Sequence, residues 1–143
     1  MKKKKTYIKR RFIAGFIDYS IIFMIDYSLI VKLGTTNDGK NYELNGLPAL
    51  LLPLFWLIMT VGIEKLTGAT LGNGIVGLKP VCIKYNSKIT ALQSLKRHTL
   101  DLIDMMFFGV VAIITIKNTK HNQRLGDLWA GTTVVKSESP VAE

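Results

Sequence analysis

Two aspartates lie inside the first long apolar segment of the chain. Segment 12–31, FIAGFIDYSIIFMIDYSLIV, carries Asp18 and Asp26, and Arg10 and Arg11 directly precede it. A helix of twenty residues is about 30 Å long, close to the hydrocarbon thickness of a bilayer. An ionised aspartate near the middle of such a helix costs about 2.5–3.5 kcal/mol on insertion scales. The two acids therefore predict a partner, a wet cavity or a bound proton, and so a polar site within a membrane.

A second group of charges has helical spacing. Arg97, Asp101 and Asp104 stand at i, i+4 and i+7, which places them on one helix face. Arg97 is then expected to pair with Asp101. One interpretation is a surface ion pair that stabilises little. The other is a proton or cation relay built from Asp18, Asp101 and Asp104. We leave Asp104 open between the two and favour the functional role for Asp18.

Other chemistries lack their residues. The hydroxyls in the apolar segments have no matched base: Ser20, Ser28 and Thr60. His98 and His121 stand at segment ends, which favours an interfacial position over a ligand role. Cys82 is the single cysteine, and neither HExxH nor CxxC occurs. We therefore predict no enzyme, no catalytic residues, no metal and no cofactor.

Composition favours a membrane domain. The 143 residues carry a net charge of +9, yet 48% are apolar and the mean hydropathy is +0.26. Basic soluble proteins often bind nucleic acid, but here the apolar residues form long blocks, so we expect no such partner. The basic start resembles a signal peptide, but Asp18 interrupts the apolar part and no cleavage site follows. An uncleaved membrane helix in a single domain, 1–143, is the prediction.

Two further segments are candidates for spanning. Segment 47–63 has seventeen residues without charge, at the short end for a span. Segment 99–116 has eighteen, but only its last twelve, from 105, are free of charge, a length that also suits a re-entrant segment. We favour a third span on length. Residues 91–98, ALQSLKRH, predict an amphipathic helix lying on the membrane surface before it.

Basic residues indicate the topology. Segment 1–11 holds seven Lys/Arg, 33–46 holds one and 64–98 holds six. The positive-inside rule then places the N-terminus and 64–98 in the cytoplasm and 33–46 outside. Four more basic residues follow position 116, which favours the inside for the C-terminal stretch as well. A third span would send that stretch outside, so charge and length disagree.

Two stretches outside the spans are distinctive. In 68–90, four glycines precede LKPVCIKY and KIT, which flank Asn86-Ser87 and predict a short cytoplasmic β-hairpin. The glycines match neither phosphate-binding motif, so a tight turn against the helix bundle is the simpler interpretation. In 122–136, Arg124 and Asp127 are three residues apart.

In order, RRFIAGFID (10–18), GATLGNGIVGLKPV (68–81) and NQRLGDLWAGTTVV (122–135) resemble the RDD family of membrane proteins. The resemblance implies that Arg11, Asp18 and Asp127 are the arginine and aspartates after which the family is named. Some members have been proposed as transporters, including sodium/proton exchangers. Members usually carry basic residues after TLG, and this chain has Asn73 and Gly74, which puts any anion contact there in doubt.

These observations predict an all-α membrane protein, a bundle of about three transmembrane helices with a short hairpin and an amphipathic segment. We expect a small transporter or transporter subunit in the cell membrane, multi-pass, moving protons, sodium or a small solute around Asp18. Three segments are too few to enclose a pathway, so a homo-oligomer or membrane partner is expected. The alternative is a non-transporting adaptor or assembly factor. Opposite charge and the resemblance predict that Arg11 and Asp127 lie on one side of the membrane and pair with each other or with lipid headgroups. Arg97 and Arg124 are expected to contact lipid or a partner.

Overall fold

Two long apolar helices dominate the structure. The computed structural model describes residues 6–36 and 38–140, leaving out the side chains of 106–108. Helix α1 covers Ile8–Leu33, and a second helix covers Leu47–Thr67. Within the described residues, these are the two helices long and apolar enough to cross a membrane, and only 17% of each apolar window is buried. The predicted segments 12–31 and 47–63 lie inside them.

The second helix is irregular in the middle. It begins as a 3₁₀ turn and continues as α2, a π-helical turn and α3, with the bounds Leu47–Leu50, Leu51–Leu57, Ile58–Gly62 and Ile63–Thr67. In the π-helical turn, Thr60 is buried and its hydroxyl donates to the Trp56 carbonyl at 2.7 Å. Such wide turns are rare within α-helices and are frequent at functional sites.

Shorter elements make up the rest of the described chain. The helices are α4 (Leu71–Ile75), α5 (Ala91–Thr99), α6 (Asp101–Asp104), α7 (Met106–Asn118) and α8 (Leu125–Ala130). The strands are β1 (Thr35–Thr36), β2 (Tyr42–Glu43), β3 (Leu78–Cys82) and β4 (Thr132–Lys136). β1 pairs with β2 in the connection between the two long helices, and β3 pairs with β4.

The predicted hairpin places β3 against the wrong partner strand. β3 pairs antiparallel with β4, in the register Leu78↔Lys136 to Cys82↔Thr132, and only an isolated bridge joins Cys82 to Ser87. β3 is almost wholly buried, and it pairs with the TTVVK strand, which is buried or half-buried throughout, rather than with the mostly exposed NSKIT segment. Pro80 is compatible with β3 because a strand with one partner has an unpaired edge. The described fold is thus mainly helical, as predicted, with two small two-stranded sheets.

The structure does not support the predicted third span. The helix expected over 99–116 is interrupted at Leu100 and again at Met105, and α7 has 13 residues, about 20 Å. This length is short of the hydrocarbon thickness of a bilayer.

The path of α7 explains its length. Met105, just before α7, lies against Gly15 of α1, whereas Gly109, one turn later, lies opposite Phe12. Ile116, near the end of α7, and Ile8, at the start of α1, line the same cavity. Helix α7 therefore runs antiparallel to the first turns of α1 and leaves the bundle on the side where α1 begins.

Polar side chains fill the interior, and apolar side chains cover the outside. The predicted surface helix α5 shows this arrangement: Ser94, Arg97 and His98 are buried, whereas Leu92 is 61% exposed. Its polar face therefore packs into the protein instead of facing water. Large exposed apolar side chains extend over α1 and the second helix, as with Phe23 and Leu47. An apolar exterior around a polar interior is the distribution expected in lipid.

Candidate functional site

Eight ionisable side chains from five helices meet where α1 begins and the second helix ends. We call them the charge cluster: the carboxylates Glu64, Asp101, Asp104 and Asp127, the guanidiniums Arg11, Arg97 and Arg124, and the imidazole of His98. Buried charges are tolerated when they are paired and hydrogen-bonded, and here four carboxylates face four groups that can carry positive charge.

The predicted pair of Arg11 and Asp127 is present. An Arg11 guanidinium nitrogen forms an ion pair with the carboxylate of Asp127, and the other donates to the Asn122 carbonyl at 2.8 Å. Burial alone would raise the pKa of Asp127, but Arg11, Arg97 and Arg124 outweigh burial and hold that pKa well below its usual value. The contact fixes the start of α1 to α8.

Arg97 departs from both of its predictions. Its guanidinium lies 3.4 Å from Asp127 Oδ1 and 3.7 Å from Glu64 Oε1, so the predicted pair with Asp101 is wrong. The helical spacing fails because α5 ends at Thr99 and Leu100, at φ −90° and ψ 3°, interrupts the helix. Contact with lipid or a partner is wrong as well, since the side chain is 1% exposed. Its Nε and Nη1 have no hydrogen-bond partner in the described part of the chain.

Asp101 takes Arg124 as its partner. Arg124 Nη1 lies 2.7 Å from Asp101 Oδ1, while the Tyr19 hydroxyl donates to Oδ2 at 2.6 Å. Burial raises the pKa of Asp101, but Arg124 and His98 more than offset burial, and the net direction is downward. The same contacts raise the pKa of Arg124 against the effect of burial. Arg124 therefore points into the cluster, not toward lipid or a partner as expected.

His98 and Glu64 are the residues that sequence reasoning missed. His98 Nδ1 lies 2.7 Å from Asp101 Oδ2, and its Nε2 lies 3.3 Å from Glu64 Oε2, which also accepts from Ser94 at 2.5 Å. Burial lowers the pKa of His98, but the two carboxylates outweigh burial and raise it overall. Glu64 directly follows the uncharged segment 47–63, and this adjacency was the available signal for a buried acid.

Asp104 holds the first turn of α8. Its two carboxylate oxygens accept the backbone N–H groups of Leu125 at 3.0 Å and Gly126 at 3.1 Å. A Cβ added at Gly126 would lie 2.2 Å from the Arg97 carbonyl oxygen, so the approach of α8 to α5 requires glycine. Burial raises the pKa of Asp104, and Arg124 and the two N–H groups only partly oppose this effect.

Asp18 holds α4 in a comparable way. Its Oδ1 accepts the Gly72 N–H at 2.7 Å, and a Cβ added at Gly72 would lie 2.1 Å from the Ala14 carbonyl oxygen. Thr70 caps the same turn by accepting the Asn73 N–H at 3.3 Å. Asp18 forms no ion pair with any described residue. Asp26, two turns further along α1, has no described contact with the charge cluster.

A cavity of about 270 Å³ lies between α1, α7 and the charge cluster. All three carboxylates of the predicted relay line it, namely Asp18, Asp101 and Asp104. Three arginines and His98 share its polar end, and most of the remaining wall is apolar. Asp127 contacts Arg11 and Arg97 of this wall but does not itself line the cavity.

A polar interior, an apolar exterior, two long apolar helices and a cavity lined by buried charges are the features expected of a membrane protein. The model of the RDD family matches residues 6–131, which is most of the chain. The chain belongs to the RDD family. Comparison with curated proteins and with solved structures gives no match.

Proposed function

We propose that this RDD-family membrane protein is a small transporter, or a subunit of one, that moves protons, sodium or a small solute through the cavity around Asp18. The observation that carries the proposal is that Asp18, Asp101 and Asp104 line the same cavity. Ionisable groups at membrane depth are costly and commonly mark ion or proton pathways.

Asp18 is the proposed binding carboxylate. It accepts one described backbone N–H and forms no ion pair among the described residues, whereas Asp101 is paired with Arg124 and His98. A carboxylate without a fixed counter-charge can take a proton or a sodium ion. The neighbouring carboxylates of the cavity are already neutralised by arginines and would compete less for the same cation.

A chain of hydrogen bonds offers a proton route beside the cavity. It runs from the Tyr19 hydroxyl to Asp101, through both nitrogens of His98 to Glu64, and ends at Ser94. An imidazole between two carboxylates can pass a proton from one ring nitrogen to the other. In the proposal, His98 therefore replaces the direct relay among aspartates that the sequence suggested.

The proposed protein is multi-pass in the cell membrane, with its N-terminus in the cytoplasm. The ion pair of Arg11 with Asp127 supports a topology in which the start of α1 and the C-terminal elements lie on one side of the membrane. The count of basic residues favours the cytoplasm for that side. A reporter fused after Lys40 is expected outside, and reporters after Lys88 and Glu143 inside. An outside signal at Glu143 would restore the third span.

Two long helices and a short one are too few to enclose a pathway, so we propose that a homo-oligomer or a membrane partner completes it. The exposed apolar faces of α1 and of the second helix are available for such packing. Cross-linking in native membranes would detect the assembly, and a protein that remains monomeric while transporting would contradict this part of the proposal.

The decisive experiment is flux in proteoliposomes of the purified full chain, with proton and sodium gradients imposed separately. Asp18→Asn is expected to abolish flux while the protein still accumulates in the membrane. Asp26→Asn is the matched control, because it removes a carboxylate from the same helix outside the cavity wall. No flux above protein-free liposomes under either gradient would reject transport of these ions.

A non-transporting adaptor or assembly factor is the second candidate. The charge cluster ties α1, α3, α5, α6 and α8 together, as expected of a scaffold whose polar residues serve assembly. In that case, Asp18→Asn would lower the amount of protein in the membrane, because the charge of Asp18, and not only its hydrogen bond with Gly72, would be needed to hold α4 against α1. The abundance of this variant therefore separates the two candidates.

A further inference from the structure

A second cavity, of about 420 Å³, lies between the end of the second helix, the glycine-rich turn and β3. Lys65, Lys79 and Lys88 line it, together with Gly68, Gly74 and Ser137. This cavity and the cavity around Asp18 have no lining residue in common, although some elements of the fold border both. We call it the lysine cavity. None of the roles proposed for the charge cluster requires these three lysines.

The lysine cavity is strongly positive. Among the residues that the structure describes, Glu64 is the only acid on its wall, and that side chain is 1% exposed and is already engaged by Arg97, His98 and Ser94. Lys79 donates to the Ser139 carbonyl at 2.8 Å, which fixes its ammonium group while leaving further donors. Glu138, next to Ser137, forms no ion pair with these lysines in the part of the chain that the structure describes.

The surroundings of the lysine cavity are apolar and outward-facing. Leu66, beside Lys65 on the last turn of the second helix, is 86% exposed, and Ile75 at the end of α4 is 70% exposed. Leu71 is exposed on the same short helix. Apolar side chains next to a basic pocket at the end of a membrane helix are typical of the boundary between the hydrocarbon and the headgroups.

We propose that the lysine cavity binds a phosphate-bearing anion, namely the headgroup of an anionic phospholipid. Three ammonium groups supply the charge, and lysine recognises phosphate as a point charge without demanding a fixed orientation. Free phosphate shares this chemistry, but the exposed Leu66 and Ile75 give an acyl chain a surface that free phosphate does not use. The site is independent of whether the protein transports anything.

The test measures binding to the detergent-solubilised full chain at low salt, with three probes: short-chain phosphatidylglycerol, short-chain phosphatidylcholine and inorganic phosphate. The test variants are Lys65→Gln/Lys88→Gln, which keeps the Lys79 bond, and the triple variant with Lys79→Gln. The matched control replaces three exposed lysines outside the cavity, Lys84, Lys117 and Lys120, by Gln. All variants are first checked for an unchanged thermal transition without lipid.

The wild type and the control are expected to bind phosphatidylglycerol at least about tenfold more tightly than phosphatidylcholine, and the triple variant to lose this preference. The double variant is expected to lose most of it, and added salt should weaken it in the wild type. Inorganic phosphate that displaces the lipid at millimolar concentration would assign the site to free phosphate rather than a headgroup. Equal preference in the triple variant and the control, or none in the wild type, would overturn the proposal.

Discussion

Two joints in this molecule have the same construction and differ in charge. In the α4 joint, Asp18 accepts the N–H of Gly72, which packs on the Ala14 carbonyl. In the α8 joint, Asp104 accepts the N–H of Gly126, which packs on the Arg97 carbonyl. Each glycine is the second residue of its short helix and follows a leucine.

The difference lies in the counter-charges. Asp104 stands 3.8 Å from Arg124 and belongs to the charge cluster, whereas Asp18 has no ion pair among the described residues. The α8 joint is therefore held by charges that compensate one another. The α4 joint has the same contact of a glycine with a backbone carbonyl, but its carboxylate has no counter-charge among the described residues, and at this carboxylate we propose that a cation binds. Backbone geometry and charge compensation therefore vary independently between the two joints.

The largest effect is expected from breaking an ion pair of the charge cluster. Removing one member of a buried ion pair strands the other and costs about 3–5 kcal/mol. Arg11→Ala and Asp127→Ala should each destabilise by this order, and the double variant should cost less than their sum. Arg10→Ala, at an exposed neighbouring position, is the control. Thermal unfolding in detergent measures this, and strict additivity would contradict a pair that acts as a unit.

The next effect tests the shared construction. Gly72→Ala and Gly126→Ala each place a methyl group against a backbone carbonyl, at 2.1 Å and 2.2 Å. Backbone cannot move aside as a flexible side chain does, so each is expected to cost about 1–3 kcal/mol or more. Gly74→Ala is the matched control in α4, because its Cβ would meet nothing within 4 Å.

Thermal stability and membrane abundance of the three variants decide the point. Gly74→Ala should be neutral or stabilise by up to about 1 kcal/mol, since alanine favours a helix over glycine. Similar losses for Gly72→Ala and Gly126→Ala would support equivalent joints. A tolerated Gly126→Ala with a disruptive Gly72→Ala would show that charge alone holds α8.

A smaller effect separates the two carboxylates. Asp104 accepts one N–H on each oxygen, so Asp104→Asn turns an NH₂ group toward a backbone donor. The substitution also removes the negative charge that faces Arg124. The expected loss of stability is about 1–3 kcal/mol. Asp18→Asn keeps an oxygen for Gly72, so its loss should stay below about 1 kcal/mol. Asp38→Asn, in an exposed loop, controls for general effects. Greater destabilisation by Asp18→Asn than by Asp104→Asn would reverse the assignment of roles.

Sequence patterns predicted the parts of the fold that depend on local composition. The two long helices follow from long apolar segments, of which only the first contains acids, and the pairing of Arg11 with Asp127 followed from the resemblance and opposite charge. The strand β3 was also placed, but its partner lies some fifty residues away, and the turn signal at Asn86-Ser87 indicated a nearer one. Long-range pairing is decided by burial, which a local pattern does not contain.

Sequence reasoning named the aspartates of the candidate site but missed the side chains that connect them, Glu64 and His98, and the partners of Arg97. Nothing in TLDLID marks a helix break at Leu100, since neither proline nor glycine occurs there, so Arg97 was assigned to Asp101. Glu64 lies one residue beyond an uncharged segment, and His98 stood at a predicted segment end. Both enter the cluster because helices distant in sequence pack together, which only the three-dimensional arrangement reveals.

The smallest effect concerns the dependence of stability on pH. Burial lowers the pKa of His98, but the carboxylates of Asp101 and Glu64 raise it by more, so the net direction is upward. A raised pKa in the folded state means that His98 stabilises fully below its unfolded pKa of about 6.5, and that this stability is lost as the pH rises through the folded pKa. The melting temperature should therefore fall from neutral toward alkaline pH, by less than the ion-pair deletions cost.

His98→Gln should remove this alkaline slope while lowering stability at pH 6, because glutamine cannot supply the positive charge between the two carboxylates. His121→Gln is the matched control and should keep the slope, since position 121 is outside the charge cluster. Neither joint depends directly on His98. The dependence of stability on alkaline pH therefore reports on the charge cluster rather than on the α4 joint. An unchanged slope in His98→Gln would mean that the imidazole is neutral, and the bridge between Asp101 and Glu64 would then stabilise by hydrogen bonding alone.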